Sequence, residues 1–176
     1  MTKALLIIDM QRFVEDRINK GVGYYPSNAI SNMKDLLNKF RGKNILVIRV
    51  IHQTDGTDSI LNKKSPYYQF ISGFENEAGE PVFVKYTSSA FASTNLKSYL
   101  DDNAVSEVVV IGAVAGFCIN STVRHGADLG VKMTVVKDAV ISFDLPGGKG
   151  EAKNIHDVTM NLLESDFARI TSFNEY

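Results

Sequence analysis

EVVVIGAVAGFCINSTVRHGADLG, residues Glu107 to Gly130, decides the reading of the fold and carries the only cysteine of the 176-residue chain. Val108 to Ile111 form an apolar run of strand length. The run breaks at Gly112, passes through a turn of small residues from Ala113 to Gly116, and becomes helical in pattern from about Cys118 onward. Cys118 therefore stands where a strand hands over to a helix. The unpaired N–H groups of a first helical turn and the positive end of its dipole favour a thiolate over a thiol there. A thiolate is the form that attacks carbonyl carbon.

The flanking sequence repeats this alternation. Ala4 to Asp9 (ALLIID) is a continuous apolar run ending in an acid, as expected of a central parallel strand buried on both faces. Met10 to Tyr25 is rich in charge and glycine and is read as a loop, after which Pro26 and Ser27 open a helix with Ile30, Met33, Leu36, Leu37 and Phe40 on one side, closed by Gly42. Asn44 to Ile51 is a second buried strand. His52 to Glu80 is a long polar connection with several aromatics, a length that in a compact domain points to a pocket or lid. A short strand then ends in Lys85, Thr94 caps a helix through Leu96, Tyr99 and Leu100, and the cysteine segment follows. Lys132 to Val140 is a further strand, Ile141 to Gly150 a loop, His156 to Leu163 a helix, and Ala168 to Phe173 a last strand. Strands alternating with helices imply right-handed crossovers and a parallel sheet covered on both faces. The expected fold is a single domain over residues 1–176, a three-layer α/β/α Rossmann-like sandwich around a mainly parallel six-stranded sheet.

Composition narrows the function. Formal net charge is −1, with no basic run, so nucleic acid and anionic membrane lack electrostatic support as partners and a small-molecule substrate is expected. Apolar runs are strand-sized, well below the roughly 20 residues that span a bilayer. One cysteine makes no internal disulfide, and the N-terminus enters a strand without a basic leader, so the cytoplasm is the expected compartment.

Ligands of open α/β sheets bind outside the carboxyl ends of the strands. Asp9, Lys85 and Cys118 fall at such ends: a candidate base, a cation and a nucleophile. Taken singly each has a plainer reading, as a turn acid, a solvated lysine and a small core residue. Their coincidence on one face points to covalent catalysis. Gln11, Phe13, Tyr24, His52, Phe91 and Phe117 are candidate pocket residues. GAVAG does not have the dinucleotide spacing, and Gly147 to Gly150 lacks the strand a phosphate loop requires.

KALLIIDMQ around Asp9, KYTSSAFASTNL after Lys85, IGAVAGFCINSTVRHGADLG around Cys118, KDA at Lys137 to Ala139 and the His156 helix running to FARI occur in one order over nearly the whole chain. In this the sequence resembles the isochorismatase-like cysteine hydrolases, which include nicotinamidases and other small-amide hydrolases. The resemblance implies a catalytic triad of Asp9, Lys85 and Cys118. It also implies a cis peptide between Ala113 and Val114 that aims backbone N–H groups near Val114 and Cys118 at a developing oxyanion, and a homo-oligomer, dimer or tetramer. Nicotinamidase-type members carry an Asp and two His as metal ligands after the second strand. Here that block reads IHQTDGTDS, with His52 and Asp55 or Asp58 but no second histidine, so no metal and no cofactor are expected. Ala115 replaces a frequent Thr, and Gly116 and Phe117 also depart from the common pattern. The reading that follows is hydrolysis of a C–N bond in a small carboxamide. Ether hydrolysis of the isochorismatase kind and a non-catalytic, redox-sensitive binding protein are the competing readings.

Overall fold

The computed structural model describes residues 2–176. Strands β1 (Thr2–Ile8), β2 (Tyr24–Tyr25), β3 (Leu46–His52), β4 (Val82–Lys85), β5 (Val105–Ala113), β6 (Lys132–Phe143) and β7 (Ala168–Thr171) alternate with helices α1 (Arg12–Asn19), α2 (Ala29–Gly42), α3 (Leu96–Asp102), α4 (Asn120–Asp128) and α5 (Ala152–Asp166). The sheet has seven strands in the order β2-β6-β5-β1-β3-β4, with β7 also on β6. Six of them run parallel as anticipated. The addition is β2, whose two residues pair antiparallel with Ser142 and Phe143. That pairing, and the register Ala113 to Ile141, keep Ile141 to Phe143 inside β6 rather than in the loop expected there.

The alternation of β1 explains the layers. Leu5 and Ile7 face a core completed by Val14 of α1 and Met33, Leu36, Leu37 and Phe40 of α2. Leu6 and Ile8 face another, closed by Leu96 and Leu100 of α3, Ile119 and Val123 at α4, and Met160 and Leu163 of α5. A strand buried on both faces must be apolar throughout, which is why ALLII shows no polar alternation. α1 is a correction to the sequence reading, which left its residues in a loop. Phe13, Val14 and Ile18 form the stripe that it buries, and its high charge density hides that stripe from a periodicity count.

The strand ends are brought level by close packing at Gly112. Its φ is +127°, and a Cβ there would lie 2.1 Å from the Ile8 carbonyl oxygen, so no other residue fits between β5 and β1. Asp9 follows β1 with φ +53°, a left-handed conformation that aspartate tolerates better than most residues. Its N–H donates to the Val50 carbonyl at 2.9 Å, which holds the turn against β3.

The long connection after β3 is tied down by a half-buried ion network. Glu80 accepts from Arg41 Nε and Nη2 at 2.8 Å each, from Arg49 Nη1 at 2.6 Å and from its neighbour Glu77 N–H at 2.7 Å. Burial alone would raise the Glu80 carboxyl, but the Arg41 hydrogen bonds, the Glu77 N–H and both guanidinium charges override it and lower the pKa to about 2. A depressed carboxyl contributes stability that is fully present above its unfolded pKa of 4.5 and is lost as pH falls toward 2. The window is worth up to about 3 kcal/mol. Glu80→Gln is therefore expected to unfold more easily at pH 7 but to lose less further stability than wild type between pH 5 and pH 3. Urea titrations at the two pH values check this, and parallel losses in both proteins would count against it.

Candidate active site

Four chain segments deliver side chains to one point outside the sheet. β1 ends next to Asp9, β3 ends in His52, β4 ends in Lys85, and β5 ends at Ala113, where the Ala113–Val114 peptide is cis. After it the chain makes one widened turn, Ala115–Ile119, before α4 begins at Asn120. Cys118 thus lies in that turn rather than in the first turn of the α-helix.

Lys85 is fully buried, with its ammonium at the centre of the cluster. Its Nζ lies 2.9 Å from Asp9 Oδ2, 2.9 Å from His52 Nδ1, 3.1 Å from Cys118 Sγ and 3.2 Å from the Thr87 carbonyl oxygen. β4 is two strands from β1, yet register places Lys85 beside His52 and the lysine stem reaches the rest of the way. An ammonium can only donate, so His52 accepts through Nδ1 and carries its proton on Nε2. Burial, and then the Lys85 charge, lower the His52 pKa and keep the ring neutral.

Asp9 has one oxygen on Lys85 and one, Oδ1, that is buried with no hydrogen-bond partner among the described residues. Burial raises the Asp9 pKa over the opposing pull of Lys85. The Cys118 thiol is the donor set against this carboxylate, which places Asp9 as a base for that thiol.

The state of the thiol differs from the sequence expectation. Burial, and then the Asp9 carboxylate, push Cys118 up to about 12 against the opposing charge of Lys85. Burial first, and the Asp9 carboxylate second, thus favour the thiol where a helix start alone would favour the thiolate.

Asp9, His52 and Cys118 each offer one donor atom within 4.8 Å of the others, a grouping that could in principle hold a metal ion. A resident metal does not fit it. Zinc-type ligand distances are about 2.0–2.3 Å, and the Lys85 ammonium already stands at the centre of all three donors. Asp55 and Asp58 are exposed and form no ligand cluster with His52 among the described residues.

A cavity of about 370 Å³ opens above this cluster, lined by Asp9, His52, Val114 and Cys118 at its base and by Phe13, Arg17, Phe117, Phe143 and Asp144 among its walls. Of the expected pocket residues, Phe13, His52 and Phe117 line it. Gln11 does not; fully buried, it holds His52 in place by accepting from the His52 N–H at 2.9 Å and donating to its carbonyl at 3.1 Å. Tyr24 packs behind the wall against Phe143 with ring centroids 6.3 Å apart, and Phe91 is buried against His125. The sequence reading missed Arg17 and Val22, and also the segment Phe143 to Pro146. The long connection contributes Leu61 and His52 but is not the main wall.

The family model for the isochorismatase domain matches residues 3–175, and the chain belongs to the isochorismatase family. It is a hydrolase of that family. A secreted isochorismatase effector of Verticillium dahliae, Isc1, is 30% identical over 116 residues, which is 66% of this chain and 61% of the effector. Streptothricin hydrolase of Streptomyces noursei is 28% identical over 148 residues, covering 82% of this chain and 51% of that enzyme. The chain thus spans between half and two thirds of these two relatives' lengths. The crystal structure of an isochorismatase from Pseudomonas putida superposes with a TM-score of 0.86 at 27% identity, covering 98% of this chain and 89% of that one. Among the described residues no helix is long and apolar enough to cross a membrane.

Proposed function

We propose that this hydrolase opens the C–N bond of a small carboxamide through a thioester on Cys118, with Asp9 as general base and acid and Lys85 as the fixed cation. The observation that carries the reading is the buried Asp9 carboxylate and the cavity-lining Cys118 sulfur set around one ammonium, with Lys85 in contact with both residues. Asp9 takes the thiol proton as Sγ adds to the carbonyl carbon. Lys85 offsets the charge that the base loses and the sulfur gains. Backbone N–H groups of Val114 and Cys118, in the turn after the cis peptide, are the assigned donors to the tetrahedral oxyanion. The C–N bond breaks as the nitrogen receives the proton from Asp9, and ammonia leaves. Water then loses a proton to Asp9, adds to the thioester, and the C–S bond breaks as Sγ recovers a proton. The balance is amide plus water to acid plus ammonia.

Streptothricin hydrolase, by its name, hydrolyses a substrate other than isochorismate, which supports a family member acting outside isochorismate chemistry. An apolar strip of Val158 and Leu162 on α5, 57% and 51% exposed, supports self-association as a dimer or tetramer. The test of the mechanism is turnover of primary carboxamides with hydroxylamine present. A thioester partitions to hydroxamate, detected by its iron complex, alongside released ammonia. Ether hydrolysis gives neither product, and their absence across an amide panel would favour that reading instead.

A further inference from the structure

We infer that His52 is a positioning residue of this site, which holds one N–H of Lys85 away from the Cys118 sulfur and yields it only as the thiolate forms. The inference rests on the role given to Lys85 above and adds what governs it. Lys85 Nζ has four neighbours at hydrogen-bonding distance: Asp9 Oδ2 at 2.9 Å, His52 Nδ1 at 2.9 Å, Cys118 Sγ at 3.1 Å and the Thr87 carbonyl oxygen at 3.2 Å. An ammonium carries three protons, so one neighbour goes unserved.

The distances identify the two that compete. Sγ lies 3.8 Å from His52 Nδ1, so the triangle whose other sides are 2.9 and 3.1 Å is acute at Nζ. Two N–H bonds of one ammonium diverge at the wider tetrahedral angle, and a single N–H therefore serves either Nδ1 or Sγ while the others go to Asp9 and Thr87. A thiol sulfur is a weak acceptor and a neutral imidazole nitrogen a good one. In the thiol state the shared N–H belongs to His52. The charges that face the ring are Lys85 and Asp9. Burial, and then Lys85, keep the ring neutral against the pull of Asp9, so its acceptor is present at neutral pH.

Both partners of this contact are held in place. Lys85 is fully buried, and the register of β3 and β4 sets His52 beside it. Gln11, itself fully buried, grips the His52 backbone at its N–H and its carbonyl and donates to the Tyr68 carbonyl at 2.8 Å. When the thiol proton passes to Asp9, sulfur becomes the charged acceptor, and the shared N–H turns from Nδ1 to Sγ by rotation about the Lys85 Cε–Nζ bond. No covalent bond changes at Lys85 or His52. The resting sulfur is thereby kept from thiolate chemistry, alkylation and oxidation included, until Asp9 takes its proton.

The test reads the sulfur directly, so its failure leaves the amidase reading standing. Iodoacetamide modification of Cys118 is followed against pH in wild type, His52→Phe and His52→Asn. Phenylalanine keeps the ring volume without an acceptor, whereas asparagine gives up volume and keeps an acceptor oxygen near the position of Nδ1. His52→Phe is expected to react about 10-fold faster at pH 7, the effect of one charge-assisted hydrogen bond opened to the thiolate, with its profile displaced to lower pH. His52→Asn should stay within about twofold of wild type, its acceptor being retained. An unchanged or slower His52→Phe would overturn the inference, and so would a His52→Asn as fast as His52→Phe, since the acceleration would then follow lost packing. A second measurement needs no variant: nitrogen NMR of the wild-type His52 ring should show the proton on Nε2 and a bare Nδ1 at pH 7. A ring protonated on Nδ1 at that pH would equally remove the inference. Faster alkylation confined to His52→Phe, in a protein whose wild type releases no ammonia from any amide, would sink the amidase reading alone.

Discussion

Asp9→Asn is expected to lower kcat/KM for a carboxamide by about 10³-fold or more and at the same time to make Cys118 react faster with iodoacetamide near pH 7. The opposite signs come from one charge. In the wild type burial, and then the Asp9 carboxylate, push the thiol up to about 12. Removing that charge leaves Lys85 as the charge in contact with sulfur, 3.1 Å away, so the thiolate fraction rises and alkylation accelerates. Turnover falls because alkylation needs only a thiolate, whereas amide cleavage also needs the proton returned to nitrogen. Asparagine cannot carry that proton. Cys118→Ala should abolish turnover with an unchanged far-UV spectrum and melting profile. Because Asp9 must be ionised to act and burial raises its pKa, the acid limb of wild-type kcat/KM should fall above the ordinary aspartate value of 3.8. Slower alkylation in Asp9→Asn, or turnover within tenfold of wild type, would remove Asp9 from the role of base.

The ends of parallel strands are the most legible part of such a chain. Asp9, Lys85 and Cys118 can be placed on one face from apolar runs alone, since the register of a doubly wound sheet brings those ends together. Strand spacing alone does not bring Lys85 to Asp9, because one strand lies between β1 and β4. His52, at the end of that strand and beside Lys85, turns the gap into a continuous chain of contacts. The walls were much less legible. Phe143 ends the part of β6 that pairing with β2 extends and Asp144 follows it, and Arg17 sits on a helix whose stability comes from packing Phe13 and Val14 and not from a long amphipathic repeat. Phe91 and Tyr24 have suitable chemistry and suitable neighbourhoods but point into packing, a matter of side-chain direction that local pattern does not determine. The protonated thiol was illegible for a related reason. A helix start is visible in sequence, while a carboxylate folded against the sulfur from residues more than a hundred positions away is not.

Lys85→Met should be the most destabilising single change at the site, and its cost should depend on pH in a direction the ion pair dictates. Methionine fills much of the stem's volume but leaves Asp9, 2% exposed, as a buried charge without its partner at 2.9 Å. Breaking a buried pair from one side costs about 3–5 kcal/mol, so at pH 7 the variant is expected to lose that much in urea unfolding. Its native Asp9 is raised further above the unfolded value of 3.8 than in the wild type, and the folded state therefore binds the proton more tightly than the unfolded chain does. With fewer protons bound in the unfolded state, stability falls as pH rises through this window and is regained as pH falls. The gap between wild type and Lys85→Met should accordingly narrow at pH 4. Asp9→Asn combined with Lys85→Met removes the charge as well as its partner. It should recover a large part of the stability at pH 7 and none of the turnover, because the base is gone. A gap of equal size at both pH values, or a double variant no more stable than Lys85→Met, would mean that Lys85 serves the fold through its stem and not through its charge on Asp9.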